Sequence, residues 1–220
     1  MRLRKRVKKL LGEVAYRFSP GKVSEARVVE VPAFHALGPG DVAIDCGANR
    51  GLVTRVLAAN GATVHAFEPN PRSFAKLTEA VRDFPDVVCH NAAVLDRAGR
   101  MNLYLHLNYD RNPDRFSEGS TLMAGKRNAD EDRAVEVEVV DLVSFILGLD
   151  RRVNLLKVDI EGAEYDLLEG LIERGAIDRC DQVFVETHAN SIPELMPRDA
   201  ALRDRIARMG LGGKIDLNWI

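Results

Sequence analysis

Two short runs of this chain carry residue types that do chemistry. The first is Asp45-Cys46-Gly47-Ala48-Asn49-Arg50-Gly51, between the apolar Val42-Ala43-Ile44 and the helical pattern Leu52-Val53-Thr54-Arg55-Val56-Leu57. A strand that ends in Asp, turns through Gly and opens a helix after a second Gly can cradle a nucleotide. Glycine tolerates close approach and torsions closed to other residues. Glu68 then stands at the end of the next apolar run, Thr63-Val64-His65-Ala66-Phe67. An acid there can accept hydrogen bonds from both hydroxyls of a ribose.

Dinucleotide enzymes receive a pyrophosphate at G-x-G-x-x-G, and here Asp45 replaces the first glycine. A carboxylate repels phosphate and suits a cation, such as the ammonium of an amino-acid moiety. Adenosine at Glu68 and an ammonium near Asp45 together describe S-adenosylmethionine. An ordinary ligand-free strand–turn–helix explains the D-x-G turn alone, but not Glu68 at the end of the following strand.

The second run is Lys157-Val158-Asp159-Ile160-Glu161-Gly162-Ala163-Glu164. Lys157 and Asp159 share one face of an otherwise apolar strand, where charged residues are rare unless paired. Acids in a first helical turn are favoured by about 0.3–1 kcal/mol each. That accounts for Glu164 and for part of Glu161. It does not account for Lys157 or Asp159. The next strand ends in Glu186-Thr187-His188. In a parallel sheet, Asp159, Glu186 and His188 would converge at one edge, with Lys157 beside them. Such a cluster can take a proton from an attacking hydroxyl. It can also hold a divalent metal that acidifies the hydroxyl. A surface histidine after a strand is the plainer alternative for His188.

The elements that must position these residues alternate strand and helix from Asp41. Strands are expected near 41–46, 63–68 and 87–91, with Asn91-Ala92-Ala93-Val94 closing the third. Helices are expected near 50–60 and 71–83. Asp45, Glu68 and Asn91 then stand at strand carboxyl ends, where open α/β sheets bind ligands. Met101–His106 and Val135–Val139 alternate as half-exposed strands do. The polar stretch 108–133 between them reads as a lid or substrate-reading loop, or as disorder. Leu142–Leu147 suits a short helix that starts after Asp141. Leu155–Ile160 and Gln182–Glu186 read as buried strands around a helix from Tyr165 to Arg174. Asp199–Met209 reads as a helix and Lys214–Trp219 as a last strand.

A length of 220 residues suits one α/β domain, 41–220, with a helical lead-in, 1–40. A net charge of −2 gives no electrostatic reason to expect nucleic acid. The three cysteines lack metal spacing and fit a reducing, cytoplasmic setting. No apolar run approaches the roughly 20 residues that span a bilayer. Residues 1–20 combine basic side chains with apolar ones at helical spacing. That pattern packs on its own domain, or docks peripherally on the inner face of a membrane.

Taken together, these motifs resemble the FkbM-type methyltransferases. The resemblance lies in Asp45–Gly51, Phe67-Glu68-Pro69-Asn70, Asn91-Ala92-Ala93-Val94, Gly119-Ser120-Thr121-Leu122, Leu156–Glu164 and Glu186-Thr187-His188, in the family's order. It implies a class I methyltransferase fold, a Rossmann-like doubly wound, mostly parallel sheet with helices on both faces. It also implies S-adenosylmethionine-dependent O-methylation, often of sugar hydroxyls in glycans or natural products. By motif, Asp45, Gly47, Ala48, Asn49 and Gly51 would surround the methionine part. Glu68, with Pro69 beside it, would hold the ribose. Asn91 and Ala92 would flank the adenine, and Asp159 would lie near the transferred methyl. The last hairpin of the sheet is expected to be shortened or rebuilt. Two rivals remain: a nicotinamide-dependent oxidoreductase, and a silent adenosine-binding scaffold that docks through its basic N-terminus.

Overall fold

A computed structural model describes residues 30–110, 120–123 and 129–219. The N-terminal basic helix expected over 1–20 lies outside these residues, as does most of the polar stretch after 108.

The chain runs α1 (Pro32–Ala36), β1 (Val42–Cys46), α2 (Leu52–Ala58), β2 (Thr63–Phe67), α3 (Pro71–Val81), β3 (Val87–His90), β4 (Ala93–Leu95), β5 (Gly99–His106) and β6 (Ala129–Asp141). It continues with α4 (Leu142–Gly148), β7 (Val153–Val158), α5 (Glu164–Glu173), β8 (Cys180–Val185), α6 (Met196–Arg208) and β9 (Ile215–Asp216). Six strands form one sheet in the order β3-β2-β1-β7-β8-β9, and every neighbouring pair is parallel. Parallel strands require crossover helices, which cover a sheet's faces.

The burial pattern shows the double winding. Ile44, Cys46, Leu156, Val158, Val183 and Val185 pack against α4, α5 and α6. Ala43, Val64 and Leu155, of opposite parity within their strands, pack with Phe34 of α1 and Val53, Val56 and Leu57 of α2. Successive side chains point to opposite faces, so these are two cores on two sides of one sheet. Phe34 meets Phe184 edge-on at 5.2 Å and Trp219 at 5.8 Å, so the end of the lead-in is part of the second core.

Three expectations need correction. Asn91–Val94 does not close the third strand. β3 ends at His90, and Ala93–Leu95 joins a separate three-stranded sheet in the order β4-β6-β5. β6 begins at Ala129, inside the stretch read as a loop, because its pairing with β5 extends to Ala129↔His106 past a register shift. The last strand, expected over Lys214–Trp219, is only Ile215–Asp216 and pairs parallel to β8, so among the described residues this edge is shortened, as the resemblance implied.

Candidate active site

β1 lies at the centre of the sheet, with β2 on one side and β7 on the other, and the chain leaves it in opposite directions. The carboxyl ends of β1, β2, β7 and β8 all open on one edge there. This is the topological switch point at which such sheets bind ligands.

The register pairs Asp45 directly with Lys157. The Lys157 ammonium lies 3.2 Å from Asp45 Oδ1 and donates to the carbonyls of Cys46 at 3.1 Å and Gly47 at 2.8 Å. Thr54 Oγ1 donates to Asp45 Oδ2 at 2.6 Å. Both charged side chains are buried. The cation beside Asp45 is therefore Lys157, not a ligand. Burial disfavours the Lys157 charge, but Asp45 and Asp159 outweigh it and hold the ammonium well above its ordinary range. Lys157 stays protonated and cannot accept a proton. Its place is to clamp the turn after β1 to β7. Cys46 is buried, which raises its thiol and leaves no reactive thiolate.

The turn's glycines serve the protein's own packing. A Cβ on Gly47 would fall 1.8 Å from the Asp159 carbonyl oxygen, and one on Gly51 would fall 2.9 Å from Leu77. Gly47 and Asn49 have positive φ, 75° and 49°. The Asp159 backbone therefore packs directly on this turn, its N–H donating to the Cys46 carbonyl at 3.1 Å. Asn49 Oδ1 is buried and has no hydrogen-bond partner among the described residues.

Glu68 is buried at the end of β2. Its two oxygens accept from the backbone N–H groups of Asn49, at 2.8 Å, and Asn70, at 2.7 Å. Burial pushes the carboxyl up to about 7 even so. Asn70 caps α3 through Arg72 and Ser73 and fixes the exit after Pro69. Asn91 spends its side-chain amide on the carbonyls of Glu68 and Pro69, at 2.9 and 3.2 Å. It braces the Glu68 loop, and Ala92 is buried beyond it.

On the other side of the turn, Glu186 N–H donates to the Val158 carbonyl, which sets Glu186 beside Asp159. Burial, with the Asp159 charge next, pushes Glu186 up to about 7. His188 Nε2 lies 3.4 Å from Glu161 Oε2 and 3.9 Å from Asp159 Oδ1. Its Nδ1 is held by Glu164 Oε1. Burial opposes a charge on this ring, but Glu164, Glu161 and Asp159 outweigh it and push the imidazole up to about 9.

Asp159, Glu186 and His188 thus gather as the strand order requires. Two members were not foreseen. Glu164, assigned above to the helix dipole, is fully buried and holds His188. Glu161 lies in the left-handed region at φ 59° and faces the same ring nitrogen as Asp159. A non-glycine residue at that torsion is uncommon. The sequence hint was the repetition of Glu on both sides of Gly162. In the described residues, the His/Cys/Asp/Glu group whose ligand atoms converge within 4.8 Å is Asp159, Glu161 and His188. Glu186, expected with Asp159 and His188 as a metal ligand, is not in this group, and Glu161 is.

Residues 120–123 lie across this edge. Ser120 Oγ accepts from Asn70 Nδ2 at 3.4 Å, and buried Thr121 donates from Oγ1 to the Glu161 carbonyl at 2.7 Å. Thr121 also pairs through its backbone with Tyr104 of β5, so the second sheet supports the strap.

A doubly wound parallel sheet with a buried acid after β2 and a polar cluster after β7 and β8 is the arrangement of a class I methyltransferase fold. The model of the methyltransferase FkbM domain matches residues 45–210, and the chain belongs to the FkbM methyltransferase family. It is 34% identical over 176 residues to the 31-O-demethyl-FK506 methyltransferase FkbM of Streptomyces tacrolimicus, covering 69% of this chain and 67% of that one. It is 29% identical to Methyltransferase 1 of Beauveria bassiana, covering 65% and 63%. It is 26% identical to the hexuronic acid methyltransferase AglP of Haloferax volcanii, covering 70% and 59%. The chain thus spans less than two thirds of the length of the latter two. An rRNA methylase from Streptococcus thermophilus superposes with a TM-score of 0.42 at 13% identity, over 86% of this chain and 80% of its own. Among the described residues no helix is long and apolar enough to cross a membrane.

Proposed function

We propose that this methyltransferase moves a methyl group from S-adenosylmethionine to a hydroxyl oxygen on a sugar of a glycan or natural product. The observation that carries the reading is Glu68. Two backbone N–H groups orient its carboxylate at the switch point, within reach of a ribose lying across the ends of β1 and β2.

The residues present fit the cofactor. Glu68 would accept from the ribose hydroxyls. Gly47, Ala48, Asn49 and Gly51 of the turn would wrap the methionine part, with the buried Asn49 Oδ1, unpartnered among the described residues, offering an acceptor for its ammonium. The backbone at Pro69, Asn91 and Ala92 would flank the adenine. When bound, the cofactor supplies an electrophilic sulfonium methyl, whose transfer to oxygen leaves a neutral thioether.

The protein's own work is alignment, exclusion of water and removal of the hydroxyl proton. A sugar hydroxyl is a weak acid, so the base matters. Glu186, with its carboxyl raised to about 7, is matched to proton transfer near neutral pH. Asp159 and His188 border the position from which the acceptor would approach. The hydrophilic cluster and the family's hexuronic acid relative support a sugar-type acceptor.

The test is calorimetric titration with S-adenosylmethionine and, separately, NAD, each repeated on Glu68→Ala. Saturable binding of the first, weakened by the substitution, is expected. Binding of NAD alone would turn the reading to an oxidoreductase, and binding of neither by a folded sample would favour a silent scaffold. With an acceptor in hand, Asp159→Ala and His188→Ala should lower turnover strongly and leave cofactor affinity nearly unchanged.

A further inference from the structure

At the carboxyl ends of β7 and β8, two carboxylates and one imidazole point at one another. His188 Nδ1 is committed to Glu164, so the ring turns Nε2 toward Glu161 Oε2 at 3.4 Å and Asp159 Oδ1 at 3.9 Å. With Nδ1 held by Glu164, a proton on Nε2 stands between the two carboxylates, and the Lys157 ammonium lies 3.7 Å from Asp159 Oδ2 on the far side. The ligand atoms of the three side chains lie within 4.8 Å of one another, so a metal ion can take the place of that proton.

We propose that Asp159, Glu161 and His188 bind one divalent cation of the manganese or magnesium type, with Glu164 fixing the imidazole from behind. Neighbouring ligands on an ion at about 2.1 Å stand about 3.0 Å apart. The observed separations of 3.4 and 3.9 Å therefore need to close by less than about 1 Å. Two carboxylates and one imidazole form a mostly oxygen set, which suits such ions.

Glu164 is an independent sign. It is fully buried, aims its carboxylate at His188, and leaves Oε2 without a hydrogen-bond partner among the described residues. A carboxylate that holds the far nitrogen of a ligating histidine sets its tautomer and orientation, and is a recurrent companion of metal sites. The Thr121 hydroxyl, bonded to the Glu161 carbonyl, keeps the left-handed backbone that brings Glu161 to the cluster.

The role of the ion rests on the methyl-transfer reading; its binding does not. Three protein ligands leave positions open for oxygens of the acceptor, whose hydroxyl is made more acidic there. The acceptor class is then one that presents a hydroxyl to a hard cation, as a sugar does.

The experiment is titration of metal-stripped full-length protein with Mn2+, followed by the loss of the free-ion signal in electron paramagnetic resonance. S-adenosylmethionine titration of the same samples reports fold and cofactor pocket. One Mn2+ per chain is expected. Asp159→Asn and Glu161→Gln should each weaken it about a hundredfold or more, and Glu164→Gln about 10–100-fold. Glu136→Gln, on the exposed face of β6, should bind Mn2+ like the parent. Failure of the parent to bind Mn2+ while it binds S-adenosylmethionine would overturn the site and leave the methyltransferase reading standing. Equal Mn2+ affinity in the parent, Asp159→Asn and Glu161→Gln would also overturn it. Mn2+ binding that follows the expected pattern without S-adenosylmethionine binding would support the site and count against the cofactor assignment.

Discussion

Replacing Lys157 by Met tests whether this lysine holds the site together or reacts in it. The substitution keeps the length of the side chain and removes its charge. Asp45, fully buried, would then lose its cation. Breaking a buried ion pair by removing one partner costs about 3–5 kcal/mol. The carbonyls of Cys46 and Gly47 would each lose a donor, at about 1 kcal/mol apiece. These terms are not strictly additive, so a loss on the order of 5 kcal/mol is expected. For a domain of this size that lowers Tm by about 10–20 °C. Asp45→Asn/Lys157→Met should recover at least about 2 kcal/mol, because no buried charge is left alone. Urea denaturation of the parent, both single variants and the double variant gives the coupling, with constant slope as the check on a two-state transition. A Lys157→Met protein within about 1 kcal/mol of the parent that has lost all turnover would refute the clamp and make Lys157 a reacting group. Additive effects of the two substitutions would refute the pairing.

Other expectations follow from the same geometry. Gly47→Ala should lower stability by more than the 1–2 kcal/mol of left-handed strain, because its Cβ would meet the Asp159 carbonyl at 1.8 Å; a parent-like melting curve would contradict this. The Glu68 carboxyl, raised to about 7, disfavours folding once ionised, so stability falls as pH rises from the unfolded carboxyl range through 7. The ionised form is the one that accepts from ribose hydroxyls, so S-adenosylmethionine affinity should rise between about pH 6 and pH 8. Calorimetry across that range should show the rise in the parent and a flat response in Glu68→Gln. Thr121→Val removes the hydroxyl that holds the Glu161 carbonyl and should cost about 1–2 kcal/mol. It should lower turnover more than cofactor affinity, and equal losses in both would deny it a positioning role. Phe34→Ala, in the second core, should destabilise by about 3–5 kcal/mol, measured by urea denaturation.

Several features were readable from the chain because their cause is local. The apolar run Val42-Ala43-Ile44 of β1, the glycines after the strand and the helical spacing from Leu52 are neighbours in sequence, and local pattern alone reports them. Glu68 at the end of β2 follows from the same rhythm. Asp141 before Leu142–Gly148 was legible as a helix start, and it caps Ser144 N–H as such residues do. The parallel alternation also placed Asp159 beside Glu186, since adjacent strands that end together bring their next residues together.

Other relations depend on partners that periodicity cannot name. The Asp45–Lys157 pair joins residues on opposite sides of the switch point, and only the β1–β7 register makes them neighbours. The Glu164–His188 contact spans 24 residues and requires that α5 start just below the end of β8. A glutamate in a first helical turn has a sufficient local explanation, so its sequence gives no reason to look for a distant histidine. The second sheet was hidden because Ala93–Leu95 follows β3 after a gap too short to reveal that the chain has changed sheets. The sequence by itself determined most strands and helices of the parallel sheet, the order of the strands' polar ends and the family. The tertiary structure decided which charges meet and which are buried, because electrostatic energy depends on separation and burial, and neither is encoded at any single position.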